Sequence, residues 1–173
     1  YADKTFFQII SNETIISISF NETWNKVRAI GSYFKKNLSH SDTIGILTPN
    51  HINGALLDLA CLVYGIRVVP IPLNLSSEHL NYVITHAEIT NLFIGSDQGR
   101  NLLIESKYKS QNLSIVNIDN KDWDIFWNKC LKNNIVVPTL KDLDSLASIM
   151  YTSGTTDNPK GIQFSQINIV SKR

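Results

Sequence analysis

The apolar positions of the chain change rhythm at Thr43. Before it, Thr5 to Ile10 and Ile15 to Ser19 are two short β-branched runs around Ser11-Asn12-Glu13-Thr14, which predicts a β-hairpin. Trp24, Val27, Ile30, Phe34 and Leu38 then recur at three- and four-residue steps, the pattern of one buried helical face. Asn21 is the expected cap of that helix, with Glu22 in its first turn and Lys35 and Lys36 favouring its carboxyl end.

From Thr43 short apolar strands alternate with apolar helices. Thr43 to Leu47 is a continuous apolar run suited to a strand covered on both faces, and Thr48-Pro49-Asn50 breaks it. Ile52 to Tyr64 reads as a helix with Gly65 as a left-handed cap. Arg67 to Ile71 is the next strand, stopped by Pro70 and Pro72. Ser76 or Ser77 caps a helix through Leu80, Val83, Ile84 and Ala87, with Glu78 in its first turn. Asn91 to Ile94 and Leu113 to Ile118 are further strands. Trp123, Phe126, Trp127, Cys130 and Leu131 form an aromatic helical stripe, read as core packing. Asn133 to Asp144 is a polar surface connection. Strands and helices alternating over short connections predict an α/β fold, a mostly parallel sheet with helices on both faces, preceded by the hairpin.

Ser145 to Thr152 delivers the chain to its most distinctive stretch, Tyr151-Thr-Ser-Gly-Thr-Thr-Asp-Asn-Pro-Lys-Gly161, after which Ile162-Gln163-Phe164 reads as a second strand. Thr152, Ser153, Thr155 and Thr156 supply hydroxyl donors, Gly154 lets backbone approach a bound group, and Lys160 adds a compact positive charge. Successive backbone N–H groups in such a turn can form an anion-binding concavity. The chemistry this predicts is nucleotide polyphosphate binding. A hydroxyl-rich surface turn with a solvated lysine is the competing reading. The Walker loop does not fit: aligning its lysine on Lys160 puts Pro159 where the second glycine belongs and Gly161 where the magnesium hydroxyl belongs. Proline has no N–H to offer a phosphate. In an open α/β sheet ligands collect beyond the carboxyl ends of strands, where this stretch is expected to lie.

Composition narrows the classes. The 173 residues are one domain's worth, and 16 basic against 15 acidic residues leave no global field toward nucleic acid or an anionic membrane. No apolar run is long enough to span a bilayer and no signal peptide is visible. The first residue is Tyr1 rather than methionine, so the chain is expected to start inside a longer gene product. Cys61 and Cys130 are expected as buried free thiols in a reducing, cytoplasmic compartment, with a disulfide as the alternative. His40, His51, His79 and His86 lack metal-ligand spacing and read as mostly surface residues.

The ordered string Tyr151 to Gly161 resembles the phosphate-binding signature of the adenylate-forming enzymes, which include acyl-CoA synthetases, luciferases and peptide-synthetase adenylation domains. Leu62-Val-Tyr-Gly-Ile-Arg-Val-Val-Pro70 is similar to the family's earlier L-x-x-G-A-x-x-V-P motif, with Arg67 departing from a usual small residue. Asp42 to Leu47 with Pro49-Asn50, and Phe20 to Phe34, also resemble the family's opening elements, so the likeness runs along nearly all of the chain. It implies that residues 1–173 are the N-terminal part of an AMP-binding domain. The magnesium-binding glutamate motif, the adenine and ribose sites, the hinge and the C-terminal domain with its catalytic lysine would follow Arg173. It further implies an acid–thiol ligase that turns a carboxylic, expectedly fatty, acid and Mg2+-ATP into an acyl-adenylate. Coenzyme A or a carrier-protein thiol then takes the acyl group. By the same resemblance Thr152, Ser153, Gly154, Thr155, Thr156 and Lys160 bind the phosphates, Tyr151 and Gly161 are structural, and no catalytic or metal-binding residue lies in this part. The fragment alone is expected to be inactive.

Two residues depart from the family's pattern: Asp157 replaces a glycine, and Gln166 stands where histidine is usual. A carboxylate about 6 Å from a phosphate charge costs roughly 0.7 kcal/mol in water and about 3 kcal/mol at an effective dielectric of about 20. These departures motivate a second expectation, a non-catalytic relative or nucleotide-binding module of the same fold.

Overall fold

A computed structural model describes residues 1–11, 14–108, 112–139, 142–152 and 158–171. Strands β1 (Thr5–Ser11) and β2 (Thr14–Ser19) form a two-stranded antiparallel hairpin. A helix α1 (Phe20–Asn37) follows directly. Its cap is Ser19, not Asn21: the Glu22 N–H donates to Ser19 Oγ at 3.2 Å, while the Ser19 N–H donates to Glu22 Oε2 at 2.8 Å. This reciprocal capping box satisfies two helix-end donors at once, which Asn21 inside the first turn cannot do. Val27, Ile30 and Phe34 are buried as the period predicts, whereas Trp24 is 41% exposed and outside the core.

The alternating part contains β3 (Thr43–Leu47), α2 (Ile52–Tyr64), β4 (Arg67–Ile71), α3 (Ser77–His86), β5 (Asn91–Ile94), α4 (Ser96–Ser106), β6 (Ser114–Asn117), α5 (Lys121–Leu131), β7 (Leu146–Thr152), β8 (Lys160–Ser165) and α6 (Gln166–Ser171). Its sheet has the order β6-β5-β3-β4-β7-β8, parallel throughout except for β8, which runs antiparallel to β7. Every residue of β3 is buried, as expected for a central strand covered on both faces. Gly65 closes α2 at φ 63°, ψ 49°, the left-handed cap its position predicts. Pro70 does not stop β4: the strand runs through it to Ile71, with Pro70 opposite Ile46.

The sheet separates two cores. On one face α1, α2 and α5 pack around Ile30, Phe34, Ile44, Leu57, Tyr64 and Phe126. On the other, α3 and α4 pack on Val69, Leu80, Ile84, Leu92, Ile149 and Tyr151. The aromatic stripe of α5 belongs to the first core, with the Phe126 ring 5.1 Å from Phe93 and 5.9 Å from Phe34, although Leu131 at its end is exposed. The connection before β7 lies on the surface but is tied down: the Tyr64 hydroxyl donates to the Val136 carbonyl at 2.7 Å, and the Val136 N–H donates to Ser32 Oγ at 2.8 Å. Both cysteines are free and buried. Among the described residues no helix is long and apolar enough to cross a membrane.

Candidate functional site

The predicted phosphate-binding stretch hangs from the last two strands of the sheet. Because β7 runs parallel to β4, and β4 to β3, the chain leaves β7 at Thr152 on the edge where Leu47 and Ile71 end their strands. It returns into β8 at Lys160, and Thr152 and Lys160 are Cα partners in the antiparallel register. The two strand-borne members of the predicted set are therefore brought side by side, both exposed. Among the described residues no ion pair engages the Lys160 ammonium. Ser153, Gly154, Thr155 and Thr156, with the divergent Asp157, lie outside the described residues.

Alternation along β7 fixes what faces what. Ala147, Ile149 and Tyr151 are buried, Met150 and Thr152 exposed, so Thr152 stands on the face opposite Tyr151. Tyr151 packs in the core beneath α3, and its hydroxyl lies 2.7 Å from His86 Nδ1. Across the pair, a Cβ on Gly161 would come within 3.2 Å of the Tyr151 ring and 3.1 Å of Ile149 Cγ2, so a side chain there would press on both. Tyr151 and Gly161 thus have the structural place expected of them.

Pro159 is buried while Asn158 beside it is exposed. Gln166, the second departure, is buried at the start of α6; its backbone N–H donates to the Ser145 carbonyl at 3.0 Å, and its Nε2 has no partner among the described residues. Arg67 serves the fold: its guanidinium donates to the Ser41 carbonyl, tying the start of β4 to the turn before β3.

A cleft of about 820 Å3 lies at the carboxyl ends of β3 and β4, between β1 and α2. Ile9, Ile46, Pro49 and Ile71 give it apolar walls, and among the described residues neither Thr152 nor Lys160 lines it. Asp58 lines it, and burial raises that carboxyl above the ordinary aspartate range. Among the described residues there is no group of three His, Cys, Asp or Glu side chains that could hold a metal ion. Of the histidines, His51 accepts from the Asn53 N–H at 3.2 Å and caps α2, and His86 binds Tyr151. His86 is exposed, in keeping with the surface reading of the histidines, but its bond to Tyr151, a partner 65 residues away, leaves no local signal.

A family model described as AMP-binding enzyme matches residues 1–173. Long-chain-fatty-acid–CoA ligase 5 of Rattus norvegicus is 30% identical over 151 residues, covering 77% of this chain and 22% of that protein. Long-chain-fatty-acid–CoA ligase 1 of Cavia porcellus is 27% identical over 146 residues, covering 74% of this chain and 21% of that protein. Among solved structures, the Brucella canis acyl-CoA synthetase superposes with a TM-score of 0.74 at 16% identity, covering 95% of this chain and 31% of that one. The chain thus spans about a fifth of the length of the curated relatives it matches.

Proposed function

This chain belongs to the AMP-binding enzyme family, and we propose that it is the N-terminal, phosphate-gripping part of an ATP-dependent acyl-activating ligase. The observation that carries the reading is the pairing of Thr152 with Lys160 at the carboxyl edge of β7. That pairing puts a hydroxyl and an ammonium at the two mouths of a segment whose sequence supplies three more hydroxyls. A sheet edge of this kind is where open α/β folds collect ligands.

In this reading a carboxylate oxygen attacks the α-phosphorus of ATP. The bond to the bridging oxygen breaks, leaving acyl-adenylate and pyrophosphate. Thr152, Ser153, Gly154, Thr155, Thr156 and Lys160 hold the β- and γ-phosphates so that the departing diphosphate leaves in line. Their contribution is positioning and charge stabilisation rather than proton transfer. Magnesium comes with the ATP, and its protein ligands belong to other parts of the protein. A thiol, coenzyme A or a carrier protein, then displaces AMP from the acyl group. The curated relatives' names favour a long-chain fatty acid as the carboxylate. The cytoplasm is the proposed compartment, in keeping with the two free thiols.

The test is carboxylate-dependent exchange of labelled pyrophosphate into ATP by the full-length protein. Exchange with long-chain fatty acids is expected; none with any acid of a broad panel would refute the ligase. Asp157 and Gln166 favour a second reading, a relative that has kept the fold without the chemistry. In that case MgATP would leave the melting temperature of the full-length protein unchanged.

A further inference from the structure

One side chain touches both strands that carry the predicted phosphate-binding segment. Tyr151 immediately precedes Thr152 on β7, and Gly161 immediately follows Lys160 on β8; Tyr151 and Gly161 are Cα partners, as are Thr152 and Lys160. The Tyr151 ring lies so close to Gly161 that an added Cβ would sit 3.2 Å from both Cε1 and Cζ. The same ring reaches away from the sheet to α3, where its hydroxyl is 2.7 Å from His86 Nδ1. His86 ends α3 and is itself held by a stacked Tyr82 ring, centroids 5.0 Å apart and planes 22° from parallel.

We infer that His86 is a positioning residue for the phosphate-binding segment, acting through Tyr151; this rests on the proposed role of residues 152–160. Strand β8 ends the sheet and pairs only with β7, so it can twist relative to β7 about the ladder that joins them. A ring packed over Gly161 and tethered through its hydroxyl to a helix on one face removes that freedom where the segment begins and ends. Burial, with the neighbouring Tyr82, raises the Tyr151 hydroxyl above its ordinary pKa, so the phenol stays protonated, and which partner donates depends on the His86 tautomer. His86 touches no nucleotide in this arrangement; it sets where Thr152 and Lys160 stand.

The experiment compares dissociation constants for MgATP and for AMP in the full-length protein. The variants are His86→Phe, which keeps the stack on Tyr82 but has no ring nitrogen to bond, His86→Asn, whose amide puts a polar atom near the place of Nδ1, Tyr151→Phe, and the double variant H86F/Y151F. His86→Phe and Tyr151→Phe are each expected to weaken MgATP by about 3- to 10-fold, the worth of one hydrogen bond, and to leave AMP unchanged. The double variant should be no worse than either single one, and His86→Asn should restore most of the affinity. Unchanged MgATP affinity in His86→Phe would overturn the inference, as would equal losses for MgATP and AMP, which a merely structural role produces. The doubly substituted S153A/T155A protein separates the two claims. If it loses MgATP affinity while His86→Phe does not, only the role of His86 fails. If it binds MgATP like the wild type, the phosphate-binding assignment fails and the role of His86 falls with it.

Discussion

The junction of α1 with α2 gives the sharpest test of the packing. Gly31 on α1 faces the ring of Tyr64 at the end of α2, and a Cβ at Gly31 would lie 2.1 Å from Cδ2, 2.4 Å from Cε2 and 2.6 Å from Cγ of that ring. Real contacts of a Cβ are never so short, so Gly31→Ala must move the ring or the helix. The ring has little room, since Tyr64 is 1% exposed and its hydroxyl donates to the Val136 carbonyl at 2.7 Å. Overpacking a core costs about 1–3 kcal/mol, and losing the tether to Val136 adds about 0.5–1.5 kcal/mol. Replacing glycine by alanine in a helix interior returns about 1 kcal/mol. The net expectation is a loss of about 0.5–3.5 kcal/mol by these figures. Urea denaturation of the chain measures it, followed by the fluorescence of Trp123 and Trp127, which pack against the same core. Tyr64→Phe frees the ring from its tether, so the cost of Gly31→Ala should shrink in that background. A Gly31→Ala protein as stable as the wild type would refute the close helix contact, and with it the placing of α2 against the sheet.

Three further perturbations follow from the same geometry. Ser19→Ala removes the capping box of α1 and should cost about 1 kcal/mol in urea denaturation, whereas Asn21→Ala should cost much less. Asp119 is partly desolvated, which alone would raise its pKa, but hydrogen bonds from Arg100 and the Ser96 N–H and the Arg100 charge outweigh this and lower it. Its stabilising effect is therefore complete above the unfolded carboxyl pKa and lost as pH falls through the lower folded one. The melting-temperature gap between wild type and Asp119→Asn should close over that acid range. Asp58 has the opposite sign: burial raises its folded pKa, so its ionised form opposes folding at neutral pH. Asp58→Asn should melt higher than wild type at pH 7, and the advantage should fade as pH drops through the folded pKa; an advantage constant with pH would contradict the assignment.

The elements that could be read from sequence are those whose local signals agree with their tertiary setting. The all-buried β3 is a continuous apolar run, and Gly65 follows α2 at the position only a left-handed residue fills. The start of α1 was also legible, in Ser19 and Glu22 at capping-box spacing, but Asn21 is an equally good cap by residue type. Trp24 fits the helical period yet is 41% exposed, and period alone cannot show where a neighbouring helix ends. Helix α4 escaped the pattern because its N-cap, Gly95, has no side chain to bond the first turn, and Leu102, Leu103 and Ile104 fall in a row rather than on one face. At the candidate site, the segment from Thr152 to Lys160 stood out through its own residues, whereas the bond between His86 and Tyr151 exists only because the sheet order puts β7 under α3.

The central claim is that the segment between Thr152 and Lys160 grips the β- and γ-phosphates of ATP. A crystal structure of the full-length protein with magnesium and a non-hydrolysable ATP analogue tests it most directly. The account predicts β- and γ-phosphate oxygens within hydrogen-bonding distance of the hydroxyls and backbone N–H groups of residues 152–156, with the Lys160 ammonium beside them. A triphosphate bound elsewhere, with those hydroxyls and Lys160 turned to solvent, would contradict it.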